Sequence, residues 1–272
     1  MACLKTFPYL HRPCSPLKSL FSPSPLPLSS PLRWPRASLS FSASSSSHAV
    51  SMAAVSTIEH VVLFKVRDNT EPSKIDALVS NLRSLVSLDV VTHLAAGPVL
   101  RHRSAAASAG GFTHILHSRY RSKDDLATYT AHPAHVTAVK EYVLPISEDI
   151  MAVDWVVDLV GPAVPPPGSA VRLTLAKPKE GATAELTQTL GEVMASAPAS
   201  VTQLSFGENF SPARAKGYSV GLLAVFPSVE ELDAMDAGQK DLVDSVKDKV
   251  RPLLESFIVV DFVVPPPPAA SL

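Results

Sequence analysis

Only two cysteines occur in the 272 residues, Cys3 and Cys14, and both fall in a segment whose composition marks it for removal. The remaining chain then has no thiol, which excludes disulfides, thiolate zinc sites and cysteine nucleophiles. Acidic residues are missing from Met1 to Thr57, where Lys5, Arg12, Lys18, Arg33 and Arg36 are scattered among serine and proline. No run of about 18 apolar residues is uninterrupted, so a membrane-spanning helix is not expected. A surplus of either charge is lacking too: net charge is −1 and no basic patch stands out, so nothing points to nucleic acid.

The acid-free, serine-rich leader of residues 1–57 reads as a disordered organelle transit peptide, plastid first and mitochondrion second. A tail that is merely disordered would share its low hydropathy and its prolines. Initiation at Met52 would give a leaderless product. At the other end, Pro265 to Pro268 form a proline-rich tail closing on Ala270-Ser271-Leu272. That tripeptide is similar to the Ser-Lys-Leu peroxisomal address but lacks its central basic residue, which makes the peroxisome the alternative destination.

At 46% hydrophobic over all 272 residues, the chain has enough apolar mass for two cores beyond the leader. Ile58 to Val66 is apolar on both alternations, as a strand covered on both faces should be. Pro72 suits the first turn of a helix whose Ile75, Leu78, Val79, Leu82, Leu85 and Val86 form one stripe. Val90 to Ala96 reads as a second strand, and Leu100 to Gly110 as the most mobile loop of this half. From Phe112 to Arg121 the chain is β-rich. Ser122 then caps a helix from Lys123, Asp124 and Asp125 face its dipole, and Pro133 breaks it so that a second helix runs from Ala134. A last strand lies at Ile150 to Val157. The order is β-α-β-β-α-β, with the second helix in two pieces.

Beyond Gly161 to Ser169, a stiff proline-rich linker, the order repeats. Ser200 to Gly207 parallels Val90 to Gly97, Gly217-Tyr218-Ser219-Val220 parallels Gly111-Phe112-Thr113-His114, and Asp261-Phe262-Val263-Val264 answers Asp154-Trp155-Val156-Val157. The domains are therefore 58–160 and 170–264, joined by 161–169 and followed by the tail 265–272. A unit of this kind covers one sheet face with its helices and leaves the other bare. Each copy needs a second sheet, either its sister, giving a pseudo-dimer within the chain, or one from another chain in a homodimer. The short tether favours the first.

His60-Val61-Val62-Leu63, Gly111-Phe112-Thr113-His114-Ile115 and Tyr129-Thr130-Ala131-His132-Pro133-Ala134-His135-Val136 resemble the plant stress-responsive dimeric α/β-barrel proteins, and within them the two-copy, leader-bearing branch. The resemblance implies an α+β fold of two tandem ferredoxin-like domains forming a dimeric α+β barrel, and a stress-response role without a known reaction. A more distant relative, olivetolic acid cyclase, closes a linear polyketide by aldol condensation without a cofactor. By that resemblance Tyr129 and His135 are the candidate catalytic residues, and His60, His114 and His132 candidate ligand-binding ones. Some single-copy relatives hold magnesium on carbonyls near the end of the first helix, here the region of Val86 and Ser87.

An aldol cyclisation needs a base near neutral pKa and a donor for the carbonyl oxygen, roles that histidine and tyrosine suit. The alternative is structural: imidazoles at a helix corner satisfy orphan backbone groups, and histidines within strands are commonly core residues. Binding of a small apolar ligand stands between the two, and an antimicrobial defence protein is a further reading. No metal site is expected from these histidines, which have no carboxylate or thiol at ligand spacing. His93, His102 and His117 read as surface or loop residues. In the second copy Arg172 replaces His60, Val220 replaces His114 and Met235 replaces Tyr129, so any site belongs to the first copy.

Overall fold

A computed structural model describes residues 55–159, 164–195, 197–238 and 240–267. Residues 1–54 of the expected leader, the Ala270-Ser271-Leu272 tripeptide and part of the linker lie outside the described residues, and the last three leader positions, 55–57, open the first strand. The first copy comprises β1 (Val55–Val66), α1 (Pro72–Ser84), β2 (His93–Pro98), β3 (Arg101–His102), α2 (Ala105–Gly110), β4 (His114–Tyr120), α3 (Lys123–Ala131), α4 (Pro133–Ala138) and β5 (Ser147–Leu159). The second comprises β6 (Ala170–Pro178), α5 (Thr183–Met194), β7 (Gln203–Glu208), β8 (Val220–Phe226), α6 (Val229–Gly238), α7 (Lys240–Val250) and β9 (Leu254–Val263). The second strand starts later than its β-branched residues suggest, because Leu88 to Val91 close a turn through Val91 N–H to the Leu88 carbonyl.

Two antiparallel sheets result, in the orders β2-β4-β1-β5 and β3-β9-β6-β8-β7. Alternation along β1 sorts its side chains. Ile58, Val62, Phe64 and Val66 pack with Leu78, Leu82, Leu126 and Tyr129 of the helices. Val61 and Leu63 point the other way, into a core shared with Leu173, Leu223 and Val260 of the second copy. The bare face of each sheet is thus covered by its sister within the same chain.

Trp155 closes this inner layer. Its indole N–H donates to Ser205 Oγ at 2.9 Å, and its ring lies over Gly221, where an added Cβ would come within 2.5 Å of it. A side chain there would hold the sheets apart, so glycine at that position is a packing requirement.

The segment Leu100 to Gly110 corrects the sequence reading. It carries β3, which pairs with β9, and α2, anchored by Ser104, whose Oγ caps the helix by accepting from Ala107 N–H and itself donates to the Phe257 carbonyl. Gly111 ends α2 in the left-handed conformation, φ 63°. These bonds run to the other copy, so the loop is a clasp whose strand character depends on a partner distant in sequence. Leu100 N–H adds a bond to the Asp261 carbonyl, and the second copy reciprocates with Phe210 N–H, which donates to the Asp154 carbonyl.

Candidate functional site

On the helix side of the first sheet, the break between α3 and α4 builds the site. Ser122 Oγ accepts from Asp125 N–H at 3.0 Å, starting α3 as its sequence requires. Pro133 forces His132 into an extended conformation, and the His132 Nδ1 accepts from Ala134 N–H at 3.2 Å. That leaves the Thr130 carbonyl without its helical partner, and His135 Nδ1 donates to it at 3.0 Å. The bond sets the tautomer: a neutral His135 carries its proton on Nδ1 and a lone pair on Nε2. Burial lowers the His135 pKa, and the charges of His60, Arg214 and His132 act in the same direction against the bond to Thr130.

Tyr129 is buried one turn before, its ring 4.6 Å from that of His135 and 5.2 Å from Tyr120. Burial raises the pKa of both phenols, and Tyr120 also shares a 2.9 Å bond with Ser118 Oγ. Tyr129 is therefore a hydrogen-bond donor at neutral pH, not a base. His60 stands 6.3 Å from the Tyr129 ring, and its Nδ1 lies 2.5 Å from Asp154 Oδ1. Burial alone would raise the Asp154 carboxyl, but His60 outweighs it and holds the group below its ordinary value, with the Ser211 hydroxyl and Arg214 contributing. His60 and Asp154 are register partners on β1 and β5, which fixes the pair.

His114 is on the same face as His60 but at the far end of β4, opposite Phe64, whereas His60 faces Ser118. Four residues of strand separate them, about 13 Å. His114 instead lines a cleft of ≈ 570 Å³ with Ile75, Val79, Arg83 and Pro98. The structure thus brings His60, Tyr129 and His135 together, places His132 at the corner as a cap, and sets His114 apart.

The second copy uses its corresponding positions otherwise. Arg172 donates from Nε to Asp261 Oδ1 at 2.8 Å and from Nη1 to Asp236 Oδ1 at 2.7 Å. Arg103, reaching over from the first copy, donates to Asp261 Oδ2 at 2.8 Å and also pairs with Asp236. Charge pairs close the place that His60, Tyr129 and His135 hold in the first copy.

Comparison with known proteins follows the same division. A family model described as Stress responsive A/B Barrel Domain matches residues 58–157 and again residues 170–264. The chain belongs to this family. It is 51% identical over 213 residues to a stress-response A/B barrel domain-containing protein of Arabidopsis thaliana, covering 76% of this chain and 79% of that one. A second stress-response A/B barrel domain-containing protein of the same plant is 43% identical over 212 residues, 77% of this chain and 98% of its own. Among solved structures, an anthrone oxidase-like protein superposes with a TM-score of 0.51 at 14% identity, covering 79% of this chain and 97% of that one. The likeness to that structure is one of fold.

Inside this A/B barrel, between the sheets, lies a second polar cluster that sequence reasoning missed. Arg119 donates from Nη2 to Glu59 Oε1 at 2.9 Å and from Nη1 to Gln203 Oε1 of the second copy at 3.1 Å. His117 Nε2 lies 2.6 Å from Glu59 Oε2, and its ring is 4.8 Å from that of His93. His93 and His117 are buried, which corrects their assignment to the surface, whereas His102 is exposed as expected. Burial alone would raise the Glu59 carboxyl, but His117 and Arg119 bring it to about 2. Burial brings His93 down to about 2 and lowers His117. The alternation of β1 held the signal: Glu59 sits between two residues that face the helices.

The Val86 and Ser87 region, where the resemblance allows magnesium, is a 3-10 turn. The Ser84 carbonyl there accepts from Ser87 Oγ and the Leu85 carbonyl from Leu88 N–H. Among the described residues no group of three or more His, Cys, Asp or Glu gathers. Nor is any described helix long and apolar enough to cross a membrane.

Proposed function

We propose that the first copy binds a small, largely apolar carbonyl or phenol compound, and that the second copy is its built-in partner within a stress-response barrel. The observation that carries this reading is the contact of Tyr129 with His135, a phenol that donates beside an imidazole whose Nε2 accepts. A ligand oxygen and an acidic hydrogen can be held by the two at once. The pair of His60 and Asp154 fixes the floor of the same site.

The same two groups support a second reading, cofactor-independent aldol cyclisation. His135 Nε2 takes a proton from a carbon flanked by carbonyls, and the resulting carbanion attacks a distant carbonyl carbon of the same chain. Tyr129 donates its proton to the oxygen of that carbonyl and recovers one from His135, so the protein ends as it began. His135→Ala and Tyr129→Phe separate the readings. Lost binding with an unchanged melting temperature supports a ligand site, and lost turnover of a poly-β-carbonyl substrate with binding retained supports catalysis. A lower melting temperature with neither loss makes both residues structural and ends the proposal.

Import into the plastid by residues 1–57 belongs to the same proposal, with the peroxisome as alternative. Fluorescent fusions at each terminus in turn distinguish them, because masking the operative end misroutes the protein.

A further inference from the structure

The second copy suggests what the first one lacks. Around Asp261 the charges are complete: Arg172 and Arg103 each pair with both Asp261 and Asp236. Asp154 is the counterpart of Asp261, and Arg214, on a 3-10 turn of the second copy (Pro212–Arg214), reaches it as Arg103 reaches Asp261. The turn is fixed there, since Phe210 N–H donates to the Asp154 carbonyl and Asn209 Oδ1 accepts from Asp154 N–H at 3.0 Å.

The two arrangements differ at two places: His60 stands where the second copy has Arg172, and one carboxylate is replaced. Position 130 corresponds to Asp236 and holds threonine. Arg214 Nη2 remains 3.8 Å from Asp154 Oδ2, a buried oxygen that lacks a well-formed hydrogen bond among the described residues. The Arg214 side chain is 51% exposed, and its guanidinium makes no hydrogen bond to any described residue. Lys123 stands close by, its Nζ 4.2 Å from the centroid of the Phe210 ring.

We propose that the ligand of the first copy is an organic anion, and that Arg214 binds its carboxylate or sulfonate in the place that Asp236 fills in the second copy. The inference rests on the reading of Tyr129 and His135 as a ligand site. It makes the site composite, with the recognition charge supplied by one copy and the donor and acceptor by the other. A planar guanidinium suits a bidentate anion better than an ammonium does.

Two fluorescent probes of nearly the same shape test it on the full chain: N-phenyl-1-naphthylamine, which is uncharged, and 8-anilinonaphthalene-1-sulfonate, which carries an anion. The expected result is tighter binding of the sulfonate, an advantage that fades as salt rises. Arg214→Gln should weaken the sulfonate on the order of tenfold while leaving the neutral probe unchanged. Arg214→Lys should restore part of the loss. Thr130→Asp, which supplies the missing carboxylate, should weaken the sulfonate alone.

If Arg214→Gln affects both probes equally or neither, the inference is overturned. Should His135→Ala weaken both probes while Arg214→Gln affects neither, only the anion assignment fails. Should neither probe bind, or His135→Ala leave both unchanged, the ligand site fails with it.

Discussion

Asp154 and Asp261 are equivalent carboxylates on the last strands of the two copies, and their partners differ: His60 holds the first at 2.5 Å, whereas Arg172 and Arg103 hold the second at 2.8 Å each. One pair is a buried contact within the first copy, beside the Tyr129 ring. The other is a latch between copies, because Arg103 belongs to the first copy and Asp261 to the second.

That difference orders two substitutions. Asp261→Asn leaves two guanidinium groups short of charge and should cost several kcal/mol, in the range of a broken buried pair, about 3–5 kcal/mol. Asp154→Asn retains a hydrogen-bonding partner for His60 and should cost less. Urea unfolding of both variants checks the order, and equal midpoints would contradict the latch.

Gly221→Ala tests the sheet-to-sheet packing. A methyl group there meets the Trp155 ring, and overpacking of this kind costs about 1–3 kcal/mol. In a Trp34→Phe background Trp155 is the single tryptophan, so its fluorescence reports the inner layer directly. An unchanged unfolding midpoint would mean that the two sheets are not pressed together at this point.

Glu59→Gln strips the carboxylate from Arg119 and His117 at the centre of the barrel. Arg119 is left as a buried charge held by neutral groups, and the expected loss is again about 3–5 kcal/mol. Calorimetry measures it. A loss below about 1 kcal/mol would show that water reaches the cluster and screens it.

Acid should destabilise the barrel in two stages. His93, lowered to about 2 in the fold from an ordinary 6.5, stays neutral there while the unfolded chain takes up a proton, and His117, also lowered in the fold, acts in the same direction. The unfolded state thus binds more protons below about pH 6.5, and stability falls as pH drops through that value. Glu59, ionised in the fold down to about 2 against an ordinary 4.5, adds a second fall below pH 4.5. Each group contributes a slope of up to about 1.4 kcal/mol per pH unit. His93→Phe should flatten the first stage in a melting series from pH 7 to 4, and an unaltered slope would refute the assignment.

Much of the site was legible because its signals are local. Ser122 as a cap and Pro133 as a break are short-range rules, and together they place Tyr129, His132 and His135 at one corner. The alternation of β1 carries His60 to the same face. His114 shares that face, yet only the strand register puts it four residues away at a different cleft. The pairing of Arg214 with Asp154 had no such signal: Asp154 lies in a repeated segment but Arg214 in no motif, and they meet across 60 positions of chain.

The sequence by itself determined the duplication, the order of elements in each copy and the confinement of the histidine and tyrosine set to the first, because strand alternation, helix capping and proline breaks act over a few residues. Tertiary structure alone decided that Leu100 to Gly110 clasps the sister sheet, that His93 and His117 enter the barrel, and that Arg214 faces Asp154. Those outcomes depend on which side chains two distant sheets present to each other, and no short-range rule specifies that.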